Sequence, residues 1–198
     1  MLRNLGRSAQ PELVLKLNLG SGQRPLPGYL NVDKWGEPDL RCDLEVFPWP
    51  WHDDSVAEVR MIHVLEHLGA SPPVFLGIIQ ELYRVCRPDA NIHIVVPHPR
   101  HDVFISDPTH VRAITPDTLA LFSRRLNLQW QAAGLPNTPL ALLHGVNFEI
   151  EESTDVLDDP YATDFREGRI DEAEVRRLLR TCNNVAAEIQ LRLRAVKT

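Results

Sequence analysis

The sequence predicts an α/β fold built on a mostly parallel sheet. Two observations indicate it: short apolar runs recur along the first half of the chain with loops or a helix between them, and the first run enters a Gly-x-Gly turn. Strands that alternate with loops or helices favour a parallel sheet. Open α/β sheets bind ligands beyond the carboxyl ends of their strands, so the residues that follow each strand are the first candidates for function.

The first turn carries the strongest signal. A strand is predicted at residues 14–19 and a second at residues 29–35, with Gly20 and Gly22 in the loop between them and Asp33 near the end of the second strand. Glycine lets a backbone bend sharply and approach a ligand closely. A carboxylate at this strand end is placed to accept hydrogen bonds from ribose hydroxyls. The pattern predicts a site for a nucleoside-containing cofactor; the alternative is that Asp33 caps a turn.

The first crossover is unusually short. Only residues 23–28 separate Gly22 from the second strand, whereas a parallel crossover normally takes a dozen or more residues and a helix. We therefore expect no helix here, with that face of the sheet covered by the N-terminal arm (residues 1–12), by residues 153–184, or by another subunit.

Further elements follow from local signals. Strands are predicted at residues 40–44, at Val56–Ile62 and at residues 91–96. One helix is expected to begin with Ser71 as its N-cap and Pro72 at its first position, and to end near Pro88. A second helix is expected to open at Thr115 and to run past Leu126.

The C-terminal part predicts two half-buried strands. Apolar and polar residues alternate at positions 146–150 and again at 185–193, which favours antiparallel partners. Residues 153–184 would then form an insertion between them. This insertion should contain a short helix, since Asp171 and Glu174 have capping-box spacing.

Composition limits the classes of function. A chain of 198 residues is long enough for a single domain spanning 1–198, and its net charge of −6 disfavours binding to nucleic acid. The three cysteines are far apart and form no Cys-x-x-Cys, so no disulfide framework or structural zinc site is predicted. Residues 1–12 lack the apolar core of a signal peptide, and no apolar run approaches a bilayer-spanning length, so we expect no membrane association and a cytoplasmic location.

The order of motifs resembles a known family. LNLGSG, NVD, HVLEHL and ELYRVCRP follow one another as in class I S-adenosylmethionine-dependent methyltransferases, in particular a group of small bacterial predicted methyltransferases. The resemblance covers roughly residues 14–126. It implies a Rossmann-like methyltransferase fold, S-adenosylmethionine as cofactor, and an acceptor oxygen on a small molecule or glycan.

The resemblance also implies residue roles. Around the methionine portion of the cofactor it places Leu19, Gly20, Ser21 and Gly22. Asp33 would hold the ribose, Asp43 and Leu44 would lie beside the adenine, and the backbone of His63 would approach the methionine end. One departure is Asn18, which stands where the family usually has an acid and brings no charge to meet the cofactor's ammonium group.

Three further residues, His67, Asp107 and His110, are candidates for acting on the acceptor. His63 and His67 are four positions apart, so on a helix they would share a face. Because no third ligand has a clear position, we predict no metal and expect His67 to contact cofactor or substrate. Asp107 and His110 follow the fifth strand, and either could accept a proton from an acceptor hydroxyl. Equally, both could hold a Pro-rich loop together by hydrogen bonds.

Two other classes of function remain as alternatives. An NAD-dependent oxidoreductase would carry Gly-x-Gly-x-x-Gly, but residue 25 is Pro and Asp33 comes too early. A non-catalytic methyltransferase-like module that binds cofactor or a protein partner stays open. Oligomerisation with a second copy of the chain is compatible with the sequence.

Overall fold

The computed structural model describes residues 14–197, which form one seven-stranded sheet with helices around it. In chain order the strands are β1 Leu15–Leu19, β2 Leu30–Asp33, β3 Leu40–Arg41, β4 Val56–Ile62, β5 Cys86–Pro97, β6 Phe148–Leu157 and β7 Ala186–Ala195. Their order across the sheet is β3-β2-β1-β4-β5-β7-β6. The first five are parallel, and β7 is antiparallel to both β5 and β6. The predicted fold class is confirmed.

Seven α-helices lie within the described residues, together with a short 3-10 helix at Leu65–His67. The α-helices are α1 Pro72–Val85, α2 Asp102–Ser106, α3 Pro116–Ala120, α4 Arg124–Ala132, α5 Leu140–His144, α6 Tyr161–Arg166 and α7 Glu172–Thr181. The apolar face of α1 belongs to the same buried cluster as Leu17, Leu19 and Met61 of the central strands. This packing fixes the positions of the carboxyl ends of the central strands.

The chain passes from β1 to β2 without a helix, as the short crossover predicts. The backbone N–H groups of Gly20 and Ser21 both donate to the carbonyl of Val32, at 2.8 and 3.0 Å. The loop therefore folds directly back onto β2. The expectation that residues 1–12 form an arm over this sheet face lies outside the described residues.

The first predicted helix starts correctly and ends earlier than expected. Pro72 is its first residue, but the Ser71 side chain makes no capping hydrogen bond. The helix ends at Val85 because Cys86 is already extended and pairs with Val56. Pro88 therefore lies within β5, in a stretch where the register of the β4–β5 pairing shifts. A residue without an N–H is tolerated at such an irregularity.

The predicted helix from Thr115 past Leu126 is two helices. The Thr115 hydroxyl caps α3 by accepting from the N–H of Thr118, as expected. The chain then leaves the helix, and Ser123 caps α4 by accepting from the N–H of Leu126. The Ser123 hydroxyl also donates to Glu149. Ser123 therefore separates two helices whose apolar residues follow one continuous pattern in the sequence.

The two C-terminal strands pair antiparallel, as predicted, but β6 is longer than its apolar alternation suggests. It continues to Leu157, opposite Ala186. Residues 153–157 are therefore strand, and the boundary placed at 153–184 for the insertion is wrong at its start. The polar residues in this stretch lie in an exposed edge strand, so their composition does not distinguish them from a loop. Within the insertion, Asp171 does accept from the N–H of Glu174 at the start of α7.

Candidate cofactor and acceptor site

A cavity of about 490 Å³ opens at the carboxyl ends of β1, β2 and β4. Ligand-binding pockets are typically about 300–1,000 Å³, so a cofactor-sized molecule fits its dimensions. The lining residues are Gly20, Gly22, Asp33, Lys34, Trp35, Cys42, Asp43, Leu44, His63, Val64, His67, Leu68 and Thr109. Most of the predicted cofactor-binding residues are among them. Leu19 and Ser21 are not: the Leu19 side chain is buried in the core and Ser21 is 6% exposed.

One end of the cavity, which we call the glycine end, is formed by Gly20, Gly22 and Asp33. Gly20 has φ +68°, and a Cβ on it would lie 2.2 Å from Cγ2 of Val64. Only glycine permits this close approach between the first loop and the segment after β4. Gly22 also has positive φ, but a Cβ there would have no atom within 4 Å. The space beside Gly22 is therefore open to a ligand.

Asp33 ties the glycine loop to the end of β2. Its Oδ2 accepts from the backbone N–H of Gly22 at 2.8 Å, and its Oδ1 accepts from that of Trp35 at 2.9 Å. Each carboxylate oxygen has a further lone pair. The capping role that the sequence allowed is present, and the carboxylate keeps acceptor capacity at the cavity wall.

Asn18 has a structural role that the sequence did not indicate. It is 3% exposed, and its amide donates to Oδ1 of Asn31 at 2.9 Å and to the carbonyl of Arg24 at 3.1 Å. Asn31 in turn donates to Oδ2 of Asp39 at 2.8 Å. This buried network holds the first loop and uses the NH2 group of Asn18 within the protein.

The wall beyond Asp33 combines a carboxylate with apolar surface. Oδ1 of Asp43 accepts from the N–H of Glu45 at 3.0 Å, and Lys34 Nζ lies 4.0 Å from its Oδ2. Leu44 is buried, whereas Trp35 is 72% exposed although it lines the cavity. Sequence reasoning did not single out Lys34 or Cys42 as lining residues, because neither lies in a recognised motif.

His63 lies between two carboxylates. It has φ +54°, its Nε2 is 2.8 Å from Oε1 of Glu188, and its Nδ1 is 3.6 Å from Oε1 of Glu66. The latter separation is too long for a good hydrogen bond, so we treat the Glu66 contact as an ion pair. The carboxylate of Glu66, and then that of Glu188, raise the pKa of His63 against the opposing effect of burial.

A second part of the cavity wall, which we call the histidine end, consists of His67 and Thr109, and the side chains of Glu66 and His110 cluster with them without lining the cavity. The Thr109 hydroxyl donates to Oδ1 of Asp107 at 2.6 Å, which lowers the pKa of Asp107. Since this hydroxyl uses its proton on Asp107, its oxygen accepts from Nδ1–H of His67 at 3.0 Å. In the neutral form of the His67 ring, the lone pair is therefore on Nε2.

His110 is oriented in the same way. Its Nδ1 lies 2.8 Å from the carbonyl of Phe104, which can only accept, so Nδ1 carries a proton; Nε2 makes no hydrogen bond within the described residues and lies 3.9 Å from Oδ2 of Asp107. The ring stacks on Phe104 and lies 4.6 Å from the His67 ring, centroid to centroid. The structure thus brings the three candidate acceptor-facing residues, His67, Asp107 and His110, into one cluster, with Asp107 and His110 behind Thr109.

Glu66 completes this cluster, and sequence reasoning missed it. One ligand atom each from Glu66, His67 and His110 lies within 4.8 Å of the other two. The expectation of no metal depended on the lack of a third ligand with a clear position. The only sequence signal was the place of Glu66 inside HVLEHL.

None of the helices within residues 14–197 is long and apolar enough to cross a membrane.

Comparison with known proteins identifies the fold. No protein-family model matches the sequence, and no curated protein is significantly similar to it. Among solved structures, a SAM-dependent methyltransferase from Archaeoglobus fulgidus is similar at TM-score 0.57 and 16% identity, over 91% of this chain and 86% of that one. One from Methanosarcina mazei is similar at TM-score 0.53 and 13% identity, over 93% of each chain.

A third similar structure carries ligands. The 1,6-didemethyltoxoflavin-N1-methyltransferase of Burkholderia thailandensis, with bound 1,6-didemethyltoxoflavin and S-adenosylhomocysteine, has TM-score 0.51 and 12% identity, over 92% of this chain and 71% of that one. Identities this low establish architecture rather than activity. The chain therefore has the Rossmann-like fold of S-adenosylmethionine-dependent methyltransferases, as its motifs predict.

Proposed function

We propose that the protein binds S-adenosylmethionine in the cavity and transfers its methyl group to an oxygen of a small-molecule or glycan acceptor. The observation that carries the proposal is the glycine end: Gly20 against Val64, open space at Gly22, and Asp33 at the end of β2. These residues match the cofactor motif of a fold that is found in methyltransferases.

The residues present fit the cofactor. When bound, S-adenosylmethionine supplies a methyl group on a positively charged sulfur, ready for in-line displacement. Asp33 has free lone pairs for the ribose hydroxyls, Leu44 offers an apolar surface for the adenine, and Asp43 lies beside it. The buried amide of Asn18 leaves the cofactor's ammonium group without a charged partner at that position, which predicts modest affinity.

The histidine end would face the acceptor. Nε2 of His110 or Nε2 of His67 would take the proton of an acceptor hydroxyl, and Asp107 would hold His67 in position through Thr109. Methyl transfer otherwise needs alignment and exclusion of water. The net charge of −6 disfavours a nucleic-acid acceptor.

The absence of a charge at Asn18, whose NH2 group is used within the protein, also favours a second candidate, a non-catalytic module that binds cofactor or a protein partner. Calorimetry with S-adenosylhomocysteine and with NAD separates the classes. Micromolar binding of S-adenosylhomocysteine alone, followed by methyl transfer to a hydroxyl compound in an acceptor panel, is the expected result. Binding without turnover in any acceptor would favour the module, and binding of NAD alone would reject both.

A further inference from the structure

Glu66 is a buried carboxylate that accepts no hydrogen bond from the described residues and has only a long ion pair with His63. Its side chain is 1% exposed. Neither of its carboxylate oxygens has a hydrogen-bond partner among residues 14–197. The nearest basic groups are His63 Nδ1 at 3.6 Å and His67 Nε2 at 4.0 Å, beyond good hydrogen-bond distance. A buried carboxylate without donors is strongly destabilising unless a positive charge compensates for it.

The backbone of Glu66 holds the segment that carries His110. The carbonyl oxygen of Glu66 accepts from the N–H groups of Val111 and Arg112, at 2.9 and 3.3 Å. Arg112 forms no ion pair with Glu66 within the described part of the chain; its guanidinium donates to the carbonyl of Gly69 and lies over the Phe75 ring at 4.3 Å. The backbone thus pins the cluster in place, while the carboxylate keeps only its long ion pair with His63.

The two histidines are arranged as metal-binding histidines are. A histidine ligand almost always donates its second N–H to a carbonyl, a carboxylate or a similar acceptor, which fixes the tautomer and the ring orientation. His110 does so to the Phe104 carbonyl, and His67 does so to Thr109, which is backed by Asp107. The nitrogen atoms left with lone pairs belong to the same cluster as the Glu66 carboxylate.

We propose that Glu66, His67 and His110 bind a divalent metal ion of the zinc type. Two imidazole nitrogens and one carboxylate are a donor set that Zn²⁺ uses where a fourth position stays open. Bonds of about 2.0–2.2 Å place tetrahedral ligands roughly 3.4 Å apart, so the cluster, now within 4.8 Å, must contract on binding. The side chain of His67 and the neighbouring Thr109 line the cavity, so the open position faces it.

The role of such an ion deepens the proposed function and rests on it. At the cavity wall it would bind the acceptor oxygen and lower the pKa of its hydroxyl, as bound metals do for water. His67 and His110 would then act as ligands instead of bases, and the acceptor's hydroxyl proton would pass to solvent water at the cavity. Binding of the metal itself is independent of methyl transfer and is tested without it.

The test is zinc binding by the full chain, purified without an affinity tag and stripped with a chelator. Calorimetry with Zn²⁺, and metal analysis after gel filtration, are compared for wild type, Glu66→Gln, His110→Gln and the control His52→Gln. His52 is exposed and lies in the loop before β4. We expect one ion per chain in wild type and in the control. The affinity for zinc in each site variant should fall at least about 10-fold, since loss of a residue that only hydrogen-bonds to a metal ligand already costs that much.

Three results would overturn the proposal: no saturable zinc binding in wild type, undiminished binding in His110→Gln, or equal losses in all three variants. The first would mean that the ion pair with His63 is enough to balance the charge of Glu66. If Glu66→Gln does not fold, as judged by its circular dichroism, His110→Gln decides. Calorimetry with S-adenosylhomocysteine on the metal-free chain reports on the cofactor site separately, so failure of one proposal is distinguishable from failure of the other.

Discussion

The two ends of the cavity differ in how their carboxylates are satisfied. At the glycine end, both oxygens of Asp33 accept backbone N–H groups from the loop that they organise. At the histidine end, neither oxygen of the more deeply buried Glu66 accepts any hydrogen bond from the described residues. The first end is therefore held in shape by the chain itself, whereas the charge at the second end has only the long ion pair with His63 and no hydrogen bond.

Removing Asp33 should have the largest effect on the glycine end. Asp33→Ala deletes the acceptors for the ribose and releases the N–H of Gly22, and hydrogen bonds to charged groups contribute about 1.5–3 kcal/mol each. We expect S-adenosylhomocysteine binding to weaken by roughly 100-fold in calorimetry. Zinc binding at the histidine end should not change, which would show that the two ends act separately.

Glu37→Ala is the matched control, because Glu37 is exposed in the same loop and does not line the cavity. Equal losses of affinity for S-adenosylhomocysteine in both variants would show that the effect comes from removing one negative charge in this region, and not from Asp33 itself. An unchanged dissociation constant in Asp33→Ala would remove Asp33 from the cofactor site altogether.

The glycine pair offers a sharper comparison within the first end. Gly20→Ala places a methyl group 2.2 Å from Val64 at positive φ, so overpacking should add about 1–3 kcal/mol to the backbone strain. Gly22→Ala meets no neighbour, so only the strain of positive φ, about 1–2 kcal/mol, remains. Urea denaturation of both variants measures the difference. Equal destabilisation would show that the Val64 contact does not constrain the loop.

The smallest expected effect is that of His93, a residue away from the cavity, on the pH dependence of the free energy of unfolding. This dependence must be known before the histidine end is titrated. Burial, followed by the charges of Arg60 and Arg192, lowers the pKa of His93 below its usual 6.5. The unfolded chain then takes up a proton below pH 6.5 that the folded chain resists, so stability falls as the pH decreases. His93→Gln should make this fall shallower in urea titrations between pH 7 and 5. An unchanged slope would contradict the assignment.

Much of the fold could be predicted because local signals and global topology agree. The β4 bounds, the missing crossover helix and the antiparallel C-terminal pair all follow from apolar pattern and loop length. The predictions at Pro88 and Ser123 are wrong for a common reason: the structure at each depends on a tertiary partner. The stretch with Pro88 is strand because Cys86 pairs with Val56, and Ser123 ends one apolar pattern while bonding to Glu149.

The glycine end of the site was predictable from the sequence, whereas the histidine end was only partly so. Gly20, Gly22 and Asp33 lie close together along the chain, so a motif describes their contacts. Glu66 and His110 are joined through the backbone of Val111 and Arg112, across a segment without periodicity. A connection of that kind depends on how the loop after β5 returns to the sheet, which residue spacing does not encode.

The edges of the sheet have a consequence for self-association. At one margin β3 has only two residues, and at the other β6 carries Glu149, Glu151, Glu152 and Asp155. Glu151 and Glu152 already pair inward with Arg192 of β7. A second β6 laid alongside would set carboxylates against carboxylates, a common protection against edge-to-edge pairing. Any dimer of this protein should therefore form through a face of the sheet or its helices, and not by continuing the sheet from one copy into the next.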